Sequence, residues 1–287
     1  MSHSTRIDYT LHLADNALIL GHRNSEWTGH GPILEQDIAL SNIALDLIGQ
    51  ARNFYQYAAR LLNETGGSAG TSGEVTEDAL AYLRDAWDFK NCLLAEQAGG
   101  DWARTILRQF FISAYQFFLY EELQQSRDSE LAAISEKSLK EVSYHLRWSS
   151  EWVIRLGDGT AESHTRMKKA LDDCWKFTGE LFLPAGYEKQ LAKEGIAPDL
   201  TLLQEKWDAR VREVFEEAQL SVPDTEGKRA ASPAEKGSVS VVEKTGSAAG
   251  KSTWMQTGGK EGRHTEQLGY VLAEMQFLQR AYPGCEW

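Results

Sequence analysis

The sequence is poor in residues that break or crosslink a chain. Only 6 prolines occur in 287 residues. Little therefore interrupts long helices, and the stretches between are rich in Leu, Ala, Glu, Gln and Arg, all good helix formers. The 3 cysteines, Cys92, Cys174 and Cys285, are odd in number, far apart and form no CxxC. That argues against a disulfide framework and a cysteine-built zinc or iron–sulfur site, and it suits a reducing cytoplasm. No apolar run approaches the roughly 20 residues that span a bilayer. The polar start MSHSTRIDYT lacks the apolar core of a signal peptide. Cations are scarce: 30 Lys and Arg face 42 Asp and Glu, a net charge of −12. Without clustered cations, nucleic acid and anionic membrane surfaces are poor partners. GxGxxG, a P-loop, GxSxG and internal repeats are missing too.

What is present is helical periodicity. The spacing predicts a helix from about Leu13 to Trp27, a break at GHGP with Pro32 opening the next helix, and a long helix from Ile33 to Leu62. In the long helix Ile43, Leu47, Phe54 and Leu61 form an apolar stripe, with Glu35, Asn42, Asp46 and Asn53 on the polar side. Gly66 to Glu74 reads as a flexible loop, followed by a short helix near Glu77 to Trp87. Asp101 to Ser126 is apolar nearly all round and is expected at the centre of a bundle. Its Phe110, Phe111, Tyr115, Phe117 and Phe118 are expected in core and subunit interface. Ser129 to Leu156 turns Leu131, Ile134, Ser138, Val142, His145, Ser149 and Trp152 inward. Ala161 to Phe182 reads as a fourth bundle helix ended by Pro184, and Leu200 to Gln219 as a shorter one. Thr265 caps a final helix presenting Leu268, Leu272, Met275 and Leu278.

The expected fold class is all-α: a ferritin-like four-helix bundle of two hairpins joined by a crossover, with flanking helices. Residues 1–221 form the bundle. Residues 222–263, small, polar and rich in Gly, Ser, Lys and Ala, form a flexible low-complexity insertion. Residues 264–287 pack back as a C-terminal helix.

KEVSYHLRW places Glu141 and His145 one turn apart on a predicted helix. A carboxylate-bridged di-iron site needs one Glu from each of two helices and Glu-x-x-His from each of two others. Three residues before His145 stands Val142, which is apolar, and the matching turn of the long helix reads Leu47-Ile48-Gly49-Gln50. The helix from Asp101 offers only Ser113 and Gln116 in mid-span. His145 is therefore expected to be a hydrogen-bonded core residue, with Glu141 as its partner or in a surface salt bridge. Asp37 is expected to pair with Arg147 or Arg155, or to lie exposed near its helix start. His12, His22, His30 and His164 fall near helix ends or loops, where exposure is the default. The competing reading is a di-iron oxygenase in its own right, using Asp37, Asp46, Glu141, His145 and Asp172 or Asp173.

Four stretches, LILGHRNSEWTGHGP, DIALSNIALDLIGQARNFYQYAARL, KSLKEVSYHLRWSSEWVIRLGDGT and GGKEGRHTEQLGYVLAEMQFLQRAYPG, resemble the phenylacetate-catabolism oxygenase family. The resemblance covers most of the chain outside residues 224–252. It implies a ferritin-like bundle and an assembly that epoxidises the ring of phenylacetyl-CoA with dioxygen. In that assembly a related catalytic subunit holds the di-iron centre, a further small subunit takes part, and a reductase passes electrons from NADPH. In the catalytic relatives the long helix carries Asp-Glu-Ala-Gly-His and the later helix Lys-Glu-Glu-Ser-Phe-His. Here these read Asp46-Leu47-Ile48-Gly49-Gln50 and Lys140-Glu141-Val142-Ser143-Tyr144-His145, and the first-helix Glu falls near Leu18. The resemblance thus implies a non-catalytic subunit with no cofactor of its own, and Leu47, Gln50, Val142 and His145 as degenerate metal positions.

Overall fold

The computed structural model describes residues 3–66, 74–223, 255–283 and 285. Among them every regular element is helical. In chain order, α1 (His3–Ser25) and α2 (Leu34–Glu64) form one hairpin. A crossover follows with α3 (Glu77–Tyr82) and α4 (Leu93–Glu96), and then a second hairpin of α5 (Trp102–Leu123) and α6 (Ser129–Gly157). α7 (Ala161–Trp175) packs on the second hairpin, and a 3-10 turn at Thr178–Phe182 follows it. Then come α8 (Gly186–Lys193), which packs on α1, and α9 (Leu200–Glu217), which packs on α5 and α6. Finally α10 (Glu266–Met275) and α11 (Phe277–Ala281) return to the crossover side, where α10 meets α1 and α4. This is the expected ferritin-like, all-α arrangement.

Several helices owe their start to a capping side chain. Asp101, Asp128, Thr160, Asp199 and Thr265 each accept a backbone N–H of the first turn, worth ~1 kcal/mol apiece. Asp128 does more than cap. Its Oδ1 accepts the amides of Glu130 and Leu131 at 3.1 and 3.2 Å, while Oδ2 accepts the Tyr57 hydroxyl at 2.6 Å and lies 3.2 Å from Arg6 Nε. One carboxylate thereby ties the start of α6 to both helices of the other hairpin.

The structure departs from the sequence expectation at α1. The helix begins about ten residues before Leu13, and it, not 161–182, is the fourth member of the bundle. Its N-terminal half looks polar, yet Thr10, His12, Asp15 and Asn16 are all buried: the Thr10 hydroxyl donates back to the Arg6 carbonyl at 2.8 Å, and partners from elsewhere meet the other three. Asp15 accepts the Tyr55 hydroxyl at 2.5 Å, the Lys90 amide at 2.7 Å and the Arg84 guanidinium. His12 is likewise not exposed: its Nδ1 lies 2.7 Å from the Lys90 carbonyl and its Nε2 3.8 Å from Glu188. His22 and His164 are half-buried, the latter bonding the Gly157 carbonyl at 2.7 Å near the α7 start. Of the four histidines expected at the surface, His30 alone is exposed.

The predicted 161–182 helix stops at Trp175 and tightens into the 3-10 turn, which carries Glu180 inward. α8, unanticipated, opens after Pro184 with Glu188 accepting the Ala185 amide at 2.8 Å. The segment near Glu77 to Trp87 is split into α3 and a 3-10 turn at Ala86–Asp88. Phe110, Phe111 and Tyr115 are buried, and Phe117 and Phe118 are half-buried.

The C-terminal region needs a larger correction. Residues 67–73 of the predicted loop and 224–254 of the predicted insertion lie outside the described residues. Residues 255–263, assigned to that insertion, are instead pinned to the core. Glu180 Oε1 accepts the amides of Gly258 and Gly259 at 2.7 and 2.8 Å, while its Oε2 accepts the Leu93 amide at 2.6 Å. Lys260, 3% exposed, bonds both oxygens of buried Glu188 at 3.1 and 3.0 Å. Gly259 is so close to the crossover that an added Cβ would stand 2.2 Å from the Asn91 carbonyl oxygen. The final helix is two, α10 and α11, with Leu268 and Leu272 buried but Leu278 exposed.

This packing can be tested at two places. An added Cβ at Gly157 would stand 2.4 Å from the Ala218 carbonyl oxygen, whereas nothing lies within 4 Å of one at Gly186. Gly157→Ala is expected to lower stability by about 1–3 kcal/mol, read as a lower urea midpoint, with Gly186→Ala unaffected or stabilised. The other place is His12, whose pKa falls from 6.5 to about 4, chiefly through burial and against the pull of Glu188. The unfolded chain takes up that proton at higher pH than the folded one. The stability contributed by the neutral ring is therefore fully present above pH 6.5 and lost as the pH falls toward about 4, on the order of 3 kcal/mol in all. Urea titrations across that window should show a shallower decline for His12→Gln than for the native chain.

Candidate functional site

The four positions singled out in the sequence meet where α2 packs against α6. Leu47 and Val142 are fully buried hydrocarbon, and Gln50 and His145 are buried beside them. Asp46 and Gln50 lie one turn apart on α2, as Glu141 and His145 do on α6. Because the helices run antiparallel, the pairs face each other in register. His145 Nε2 lies 3.0 Å from Asp46 Oδ2, and Gln50 Nε2 donates to Glu141 Oε2 at 2.9 Å. Further along the seam Trp148 Nε1 donates to Gln36 Oε1 at 3.0 Å.

His145 is thus a hydrogen-bonded core residue, but its partner is Asp46 on the opposite helix and not Glu141 on its own. Glu141 is engaged by Gln50. The sequence placed Asp46 on the polar side of its helix and so missed this bridge. The legible signal was the matching one-turn spacing of Asp46/Gln50 and Glu141/His145 on two helices of opposite direction.

The other carboxylates of the di-iron reading do not join the seam. Asp37 folds back on the turn before α2, where its Oδ2 accepts the Gly31 amide at 2.8 Å. The amides of Gly31, Gly29 and His30 hold its pKa below the usual carboxylate value. Neither expected arginine pairs with it: Arg155 is 3.8 Å from Glu151, and Arg147 lies over the Tyr144 ring. On α7, Asp172 is exposed and Asp173 pairs with Lys169 at 2.7 Å.

The donor set can be weighed against a pair of iron atoms. His145 Nδ1, Gln50 Oε1 and Gln116 Oε1 are buried without a hydrogen-bond partner. Asp46 is an acceptor, so His145 Nε2 carries a hydrogen, and Nδ1 is the ring nitrogen left without a partner. These atoms amount to one imidazole nitrogen and two neutral amide oxygens. Leu47, Val142 and Leu18, the positions that the family resemblance sets opposite the carboxylates of a catalytic subunit, are buried aliphatics that cannot ligate. Among the described residues no three or more His, Cys, Asp or Glu converge as a metal-holding group. These residues do not fit a carboxylate-bridged di-iron centre, which requires hard oxygen donors on four helices.

Comparison with known proteins gives this scaffold its lineage. A family model described as Phenylacetic acid catabolic protein matches residues 1–238 and 234–287. The chain belongs to that family. A relative from Escherichia coli (strain K12), named as one of the subunits of 1,2-phenylacetyl-CoA epoxidase, is 46% identical over 279 residues, 97% of this chain and 98% of the relative. The two matched stretches overlap at residues 234–238 and together include α2 and α6 and run through to α11. Among the described residues no helix is long and apolar enough to cross a membrane.

The seam itself is testable. Gln50 Nε2 and Glu141 Oε2 are each other's partners, so removing both side chains should leave no newly orphaned group. Gln50→Leu with Glu141→Leu is expected to keep stability within ~1 kcal/mol of the native chain. A loss of several kcal/mol in urea titration would show that this bridge, not the hydrocarbon around it, holds the helices together.

Proposed function

We propose that the chain is a non-catalytic structural subunit of a multicomponent oxygenase that epoxidises the aromatic ring of phenylacetyl-CoA in phenylacetate catabolism. The observation that carries the reading is fully buried hydrocarbon, Leu47 and Val142, at the positions where the fold would otherwise hold bridging carboxylates. Its physical sense is direct. Inward carboxylates without a metal are costly to desolvate. Aliphatic groups there stabilise the bundle by roughly 1.5–3 kcal/mol for each side chain fully buried. The name of the Escherichia coli relative, a subunit of the epoxidase, supports the same reaction context.

In this reading the di-iron centre belongs to a related catalytic subunit, which this chain binds and supports. A small subunit and an NADPH-linked reductase complete the assembly. The test is iron quantitation on the purified chain, alone and with its catalytic partner, alongside turnover of phenylacetyl-CoA. The expected result is no stoichiometric iron and no turnover for the chain alone, and a stable complex with the partner that turns over phenylacetyl-CoA when the small subunit, the reductase, NADPH and dioxygen are supplied. About two irons per isolated chain, the content of a complete di-iron site, would overturn it and favour catalysis by Asp46, Glu141 and His145.

A further inference from the structure

The outer face of the α2–α6 seam has a composition that the bundle itself does not use. On α2, Leu34, Ile38 and Leu45 are 72%, 52% and 66% exposed. They lie on one stripe, roughly opposite the buried Ile43–Leu47–Phe54 row. Scattered exposed leucines are ordinary, but an apolar stripe rimmed by polar residues marks an interaction surface. Gly49 continues the stripe, and nothing lies within 4 Å of where its Cβ would be, so a second backbone can approach closely there.

Across the seam, α6 presents Lys137, Lys140, Tyr144 and Arg147 at successive helical spacings, all exposed. Lys137 and Lys140 have no acidic partner among the described residues, and Arg147 lies over the Tyr144 ring at 5.7 Å. The acids beside them are largely engaged: Asp46 by His145, Glu141 by Gln50 and Glu151 by Arg155. Glu136 on the same helix and Glu35 on α2 are the exceptions, both exposed. In a chain of net charge −12, a row of uncompensated cations beside bare aliphatic side chains is a local reversal of the surface.

We infer that this face docks a helical partner presenting an apolar ridge flanked by carboxylates, and that it is where the catalytic subunit of the preceding reading binds. The inference rests on that reading for the identity of the partner. The charge pattern sets the chemistry. A second copy of this chain docked through the same face would double the cations in the interface and add no row of carboxylates to neutralise them. An acidic partner neutralises them and covers Leu34, Ile38 and Leu45. Aliphatic anchors in the centre govern dissociation, and the basic rim governs association and its salt dependence.

The experiment measures binding of the full chain to its iron-bearing partner, with three variants exposed enough to leave folding intact by circular dichroism. Leu45→Glu is expected to weaken binding about tenfold or more. Lys140→Glu with Arg147→Glu should slow association and flatten its salt dependence. Leu202→Glu, exposed on α9 away from the seam, should bind as the native chain does. If the native chain fails to bind the partner, the subunit reading falls. If the native chain binds and both seam variants bind equally well, the subunit reading stands and this surface is wrong. Self-association abolished by Leu45→Glu, or seam-dependent binding to vesicles of anionic lipid in place of the partner, would equally overturn the inference.

Discussion

Four carboxylates that are at most 2% exposed, those of Asp15, Glu96, Glu180 and Glu188, constrain the whole fold. A buried charge without partners costs several kcal/mol, so each must be met by donors wherever the chain can supply them. Here the donors come from far away in sequence. Asp15 on α1 is met by Arg84 and the Lys90 amide of the crossover, and by Tyr55 of α2. Glu180 is met by the amides of Leu93, Gly258 and Gly259. Glu188 takes Lys260, and Glu96 takes Asn91, His264 and the amide and hydroxyl of Thr265. Remove the returning segment and three of the four lose principal donors. That is why the chain from 255 onward belongs to the bundle and not to the low-complexity stretch before it.

His264 shows how closely that return is fitted. Burial alone would lower the pKa of its ring. The hydrogen bond and charge of Glu96, with the Phe89 carbonyl on the other nitrogen, outweigh it and raise the value above the ordinary one. Both ring nitrogens can donate at once only in the imidazolium form, so the charge on Glu96 and the charge on His264 support each other. α10 follows at once from Thr265, whose hydroxyl accepts the Gln267 amide at 3.3 Å. The terminal helix is therefore positioned by electrostatics as well as by its apolar face, Leu268 and Leu272.

The α2–α6 seam follows a different logic. Its centre is hydrocarbon, and its polar groups reach across from helix to helix rather than converging on a point. Asp46 bridges to His145 and Gln50 to Glu141, pair by pair across the seam, which suits a wall that must stay rigid. The atoms these bridges leave over, His145 Nδ1 and Gln50 Oε1, are one imidazole nitrogen and one neutral amide oxygen, whereas a di-iron site needs several carboxylates aimed at common centres. The outer surface of the same two helices carries the features a partner would read, so the proposed supporting role and the proposed contact share one structural element.

By itself the sequence determined the elements whose burial is periodic: most of α2, α5, α6 and α9, the cap at Thr265, and the aliphatic character of positions 47 and 142. Those depend on local spacing, which one strand of text records. It did not determine that α1 runs from His3, because His12, Asp15 and Asn16 read as a polar lead-in until their distant partners are seen. Nor did it reveal that Asp46, on the side expected to face solvent, is the partner of His145, or that GGKEGRHT is held by buried carboxylates. These were decided only by the tertiary structure. A buried polar group is stabilised by whichever donor the fold brings within about 3 Å, and that neighbour is absent from the periodicity of either segment.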